Sequence, residues 1–348
     1  MKKFLTVLLV LSLLIFTLIG CSSGPGKTIV DAGEDEISEK NESDSVKLGL
    51  GTITSIAKSK DADNDGSLAT GQVDTVIVAA TFNEDDQIVD VTIDTAQTKV
   101  DFDEDLKILN DKNAEIKTKV ELGDAYGMGK VSSIGKEWFE QIEELEKWMV
   151  GKTVDQIKSL STDDGIADLT SSVTMVVEDY ILGLEKAHKN SIEINGGDKL
   201  GLGHNVSIAK SKDYSIESDG DETLPLAQVD TVIAATAFDK DGKVVGTIID
   251  TAQTVINFDA EGKVTTDKNS EFKTKTELKD AYGMGKVSSI SKEWFEQIAE
   301  LEKWMLGKTI DQIKSLATDD GIADLTSSVT MVVEDYISAV EEAFTNAK

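Results

Sequence analysis

Residues 227–258 read "AQVDTVIAATAFDKDGKVVGTIIDTAQTVINF", two runs rich in β-branched residues around the turn Asp239-Lys240-Asp241-Gly242. Such runs flanking a short glycine-ended turn predict an antiparallel hairpin. "GKVTTD" at 262–267 follows a second turn of this type, "DAEG", and predicts one more strand. The period then changes. In the other copy of this pattern, "KEWFEQIEELEKWM" at 136–149 sets Trp138, Ile142, Leu145 and Met149 on one helical face, with Gly151 as the stop. Thr153 with Gln156, and Thr309 with Gln312, have capping-box spacing, the first for a short helix through Leu160. "TSSVTMVVEDYILGLEKA" places Val173, Val176, Val177, Tyr180, Ile181 and Leu184 at helical spacing from about Ser171, with a strand as the alternative for its β-branched start. Strands followed by helices predict an α+β fold, an antiparallel sheet with helices gathered to one side.

The chain carries this pattern twice. "LGLG" occurs at Leu48 and Leu200, "QVDTVI" at Gln72 and Gln228, "DTAQT" at Asp94 and Asp250, and "AYGMGKVSSI" at Ala125 and Ala281. The run Thr162–Ile181 recurs verbatim at Thr318–Ile337. The offset grows from 152 to 156 residues within "KSKDYSIESDGDETLPLAQVD" (210–230), which marks a surface-loop insertion. A period this long is too large for a solenoid unit and predicts two similar tandem domains, 47–190 and 191–348.

The first 20 residues have a basic start at Lys2 and Lys3 and an apolar run from Phe4 to Ile19, the pattern of an export signal; the run is short for a membrane span, the alternative reading. Leu18-Ile19-Gly20-Cys21 looks like a bacterial lipobox, which implies a diacylglyceryl anchor on Cys21 and a cell-membrane, extracellular-face location. Residues 21–46, with glycine, proline, serine and many acids, predict a disordered tether with a reach of about 25–30 Å. Cys21 is the only cysteine, so thiolate-held zinc, iron–sulfur clusters and thioether haem are excluded. His188 and His204 are the only histidines, and no histidine-rich metal site is expected. The formal charge of −30 argues against nucleic acid as a partner.

Within the verbatim run, Thr170, Ser171, Ser172 and Thr174 crowd the predicted helix start. Such hydroxyls either satisfy free backbone amides or, with the positive end of the helix dipole, hold a phosphate. Asp168-Leu169-Thr170-Ser171-Ser172-Val173-Thr174, and likewise Asp324 to Thr330, resembles the acceptor motif of FMN-binding domains modified by the flavin transferase that moves FMN from FAD to threonine. The common form of that motif ends in Ser/Thr-Gly-Ala-Thr, where this chain has Ser-Ser-Val-Thr. With "DTAQT", "YGMG", "KEWFEQI", "GKT" and the lipobox, nearly the whole chain after the signal is similar to the tandem-domain flavinylated lipoproteins of Gram-positive extracellular electron transfer, the PplA family.

The resemblance implies two covalent FMN groups, esterified to Thr174 and Thr330, with Asp168, Ser171, Asp324 and Ser327 as motif residues. It implies a flavin transferase, a membrane quinone-linked donor and extracellular acceptors such as ferric iron or flavin as partners, and a carrier instead of an enzyme. Tyr126, Met128 and Trp138, with Tyr282, Met284 and Trp294, are candidates to pack on the flavin ring, and Gln97 and Gln253 to bond its polar edge. For the two tryptophans a place in the core is the stronger expectation. Asp61, Asp63, Asp65 and Gly66 match part of a calcium loop, but Gln72 stands where a bidentate glutamate belongs, so a solvated loop is expected. The alternative function is a non-redox surface lipoprotein that binds a ligand or acts as an adhesive module.

Overall fold

The computed structural model describes residues 47–63, 65–162, 165–318 and 321–348. The expected signal, Cys21 and the expected tether, residues 1–46, lie outside them. No helix among the described residues is long and apolar enough to cross a membrane.

In the first half, β1 (Lys47–Ser55), β2 (Thr70–Phe82) and β3 (Ile88–Asp101) form an antiparallel sheet in the order β3-β2-β1. The helices follow: a single turn α1 (Lys119–Leu122), then α2 (Trp138–Met149) and α3 (Val154–Leu160). A minimal hairpin, β4 (Ser161–Thr162) with β5 (Gly165–Ile166), leads to α4 (Glu178–Lys189). Strand β6 (Ile192–Glu193) then joins the β1 edge and hands the chain to the second half. There β7 (Lys199–Ser207), a small hairpin of β8 (Ser215–Ile216) and β9 (Glu222–Thr223), β10 (Leu226–Phe238) and β11 (Val244–Asn257) precede α5 (Lys275–Leu278), α6 (Trp294–Met305) and α7 (Ile310–Leu316). The pair β12 (Ala317–Thr318) and β13 (Gly321–Ile322) and the final helix α8 (Glu334–Asn346) complete it. The second sheet has the order β11-β10-β7, and the β8–β9 hairpin lies in the segment that holds the four-residue insertion.

The long strands are buried on both faces, and alternation along each strand shows why. On β2, Val76, Val78, Ala80 and Phe82 face the helices of their own half, while Val73, Ile77 and Ala79 face a second core. On β10, Val232, Ala234 and Phe238 face the helices, and Val229, Ile233, Ala235 and Ala237 join that same second core. The two sheets therefore share one apolar layer, in which the rings of Phe102 and Phe258 meet at 5.1 Å. The contacts between halves are reciprocal: Lys112 Nζ donates to the Ser211 carbonyl, and its repeat counterpart Lys268 donates to the Ser59 carbonyl. Such i-to-j and j-to-i pairing is that of a two-fold interface built within one chain. The described residues make one compact unit, with the copies as its halves.

"LGLG" has a packing cause. A Cβ on Gly49 would lie 2.1 Å from the Ala187 carbonyl oxygen, and one on Gly51 2.0 Å from that of Gly183. Gly201 and Gly203 lie as close to Ala343 and Ala339. Glycine lets α4 and α8 lie backbone to backbone on β1 and β7.

Two expectations are corrected. "GKVTTD" forms no strand; Val264 makes one bridge to Phe258, and its N–H donates to Asp61 of the first half. The last helix starts at Glu178, not near Ser171, because Leu169 turns the chain early: its carbonyl accepts the N–H groups of both Ser172 and Val173. The β-branched residues Val173, Val176 and Val177 thus stay outside the helix interior, where they are disfavoured.

Candidate functional site

The hydroxyl cluster sits on a loop held by a buried glutamine. After the 3₁₀ turn Ala167–Leu169, the backbone N–H of Thr174 donates to Oε1 of Gln141 at 2.9 Å and its hydroxyl to the same oxygen at 3.2 Å. Thr330 repeats both bonds with Gln297. Gln141 and Gln297 are fully buried on α2 and α6. The Gln141 amide group donates to Ser132 Oγ and to the Lys136 carbonyl, so one carboxamide ties the Ser132 loop, the start of α2 and the threonine loop together. Sequence reasoning missed these glutamines. Their signal was a polar side chain beside Ile142 and Ile298 on an otherwise apolar helix face.

Thr174 and Thr330 are exposed, as are Asp168, Ser171, Asp324 and Ser327 around them. Neither threonine is in the first turn of a helix, so neither reading of these hydroxyls at a helix start, backbone cap or phosphate cradle, is the geometry here. A cavity of about 60 Å³ lies against Thr174, lined by Leu169, Val173, Met175 and Val177 among others. It has room for about two waters. Any ring system carried by this hydroxyl would lie over the surface. There Val131 and Val176 are 85% and 79% exposed on the two loops that Gln141 joins, and Val287 and Val332 are similarly exposed in the second half.

Behind the loop lies an aromatic layer. Trp138 and Trp294 are only 2% exposed, and their indole N–H groups donate to the hydroxyls of Tyr180 and Tyr336. They are core residues. Tyr126 and Met128 are half-buried against the same cluster, and Tyr282 and Met284 are their counterparts in the second half. The Tyr126 hydroxyl donates to Gln97 Oε1 at 3.3 Å, joining two of the predicted residues; Gln253 holds the equivalent position on β11. Lys119 lies between the faces of Tyr126 and Trp138, with Nζ 5.0 and 5.2 Å from the ring centres, and Lys275 does the same with Tyr282 and Trp294. Burial pushes the pKa of both lysines down. Met175 links this layer to the threonine loop, since its sulfur accepts from the Tyr180 hydroxyl at 3.9 Å.

The acidic loop at 61–66 is used structurally. Asp65 Oδ1 accepts from the N–H and hydroxyl of Ser67, Asp61 accepts from Val264, and Gly66 turns the chain at φ 91°. No protein-family model, curated protein or solved structure matches the chain.

Proposed function

We propose that the protein is a membrane-tethered, extracellular electron carrier with one FMN esterified to Thr174 and one to Thr330. The observation that carries this reading is the exposed threonine hydroxyl whose loop is fixed, in both halves, by a buried glutamine and flanked by exposed valines. These features fit a covalently held planar group. The fixed loop presents the acceptor oxygen at the surface, and the exposed apolar side chains give a ring something to cover.

In the attachment step, the threonine oxygen bonds to the FMN phosphorus of FAD, AMP leaves, and the hydroxyl proton passes to a base on the transferase. Gln141 and Gln297 orient the acceptor before the step. Once attached, FMN supplies two-electron acceptance with release of electrons singly. A covalent ester also keeps the carrier loaded where free flavin is scarce; a site of micromolar affinity, about −8 kcal/mol, would empty below that concentration. A quinone-linked donor in the membrane and acceptors outside the cell complete the reading, with Cys21 as the anchor.

Intact mass of protein from cells that hold the transferase tests it. Two additions of FMN less water are expected. Thr174→Val and Thr330→Val should each remove one addition, and the double variant both. Unmodified wild-type protein, or full flavin content in the double variant, rejects the proposal in favour of a non-redox lipoprotein.

A further inference from the structure

The reciprocal contacts between halves break where α4 and α8 meet the one-turn helix of the opposite half. In one copy of the contact, Lys186 Nζ on α4 pairs with Glu277 Oε1 on α5 at 2.8 Å. In the other, Glu342 stands where Lys186 stands, and it approaches Glu121, the counterpart of Glu277. Two carboxylates then meet without the ammonium. The change is accompanied by a second: His204 on β7 occupies the position that Thr52 holds on β1. The lysine shows that this interface position takes a cation; on the Glu121 side the only basic group among these residues is the His204 ring, set between Glu121 and Glu342.

The residues there are set as ligands. His204 is buried with Nε2 3.1 Å from Asp94 Oδ2; the neutral tautomer protonated on Nε2 donates there and turns the lone pair of Nδ1 toward the glutamates. Nδ1 lies 3.4 Å from Glu342 Oε1 and 3.9 Å from Glu121 Oε2, longer than well-formed hydrogen bonds. Glu342 is fixed by the His204 backbone N–H on its other oxygen at 2.8 Å, and Asp94 by the Thr118 hydroxyl at 2.7 Å. A ligand atom from each of Glu121, His204 and Glu342 lies within 4.8 Å of the others. An ion with bonds of roughly 2.0–2.2 Å draws them closer, and Glu121, whose Oε2 accepts the Thr118 N–H at 2.8 Å in the capping box of its one-turn helix, must turn inward to bind it. The group borders a cavity of about 560 Å³, with Glu146 and Lys348 among its other polar lining, so solvent can complete the coordination.

We propose that Glu121, His204 and Glu342 bind one divalent ion of the zinc class, a site assembled from both halves of the chain. One histidine and two carboxylates suit such an ion, and the Asp94–His204 pair is the carboxylate–histidine arrangement that orients a metal-bound imidazole. The ion serves on one side of the interface as the Lys186 ammonium serves on the other. Asp94 is a positioning residue.

Isothermal titration of the full chain with Zn²⁺, after chelator treatment, should give one saturable site. Glu342→Lys and His204→Thr, which install the residues of the other half, should each abolish it, and Asp94→Asn should weaken it about 10- to 100-fold. Nitrogen NMR of the wild-type histidines should show Zn²⁺ shifting His204 Nδ1 and leaving His188 unmoved. Absence of saturable binding in the wild type, binding that survives Glu342→Lys, or an unshifted His204 would overturn the proposal.

Discussion

Glu302 shows how a single side chain answers to its surroundings. Strand β11 is a sheet edge, and the outward N–H of Ile249 donates to Glu302 Oε1 at 2.7 Å; Glu146 does the same for Ile93 on β3. Each glutamate covers an edge donor at the cost of its own hydration. Burial, opposed by that N–H and assisted by the Asp250 charge, raises the Glu302 pKa from 4.5 to about 8, and burial likewise raises Glu146 to about 7. The folded protein thus binds more protons than the unfolded chain between pH 4.5 and about 8. Stability supplied by the protonated carboxyl is complete below that window and falls as pH rises through it, by up to about 1.4 kcal/mol per pH unit for each group. Glu302→Gln keeps an acceptor for Ile249 without the charge. Urea melts should find it more stable than wild type at pH 8.5 and no more stable at pH 5; parallel pH profiles would reject the assignment.

Among the elements, β1 with α4 and β7 with α8 pack backbone against backbone. Gly51→Ala would drive a methyl group to 2.0 Å from the Gly183 carbonyl, so strand and helix must part. A loss of about 1–3 kcal/mol is expected, read as a lower thermal midpoint by circular dichroism, with Gly203→Ala behaving alike. The elements were largely legible. β10, β11, α2 and α3 match their patterns because period, turn glycines and capping pairs all agree there. The start of α4 was not, since a turn closed by Leu169 and a run of valines reads like a helical face when only spacing is counted. At the candidate site, the repeat marked the threonines, and Tyr126 and Gln97, both singled out from the sequence, meet in the fold. Gln141 and Lys119 were not, because burial of a polar residue depends on partners far along the chain.

For the whole molecule, the second apolar face of each sheet is what the repeat concealed. Two tandem copies suggest independent domains, yet Val229, Ile233, Ala235 and Ala237 of the second half are covered by the first. Residues 191–348 produced alone should therefore self-associate or precipitate, as light scattering on a sizing column would show; a stable monomer would contradict the shared core. The Thr174 loop packs on the helix-side core of the first half and the Thr330 loop on that of the second, and both cores are distinct from the shared layer. If both threonines are esterified as proposed, each ester belongs to the core of its own half, so removing one leaves the surroundings of the other unchanged.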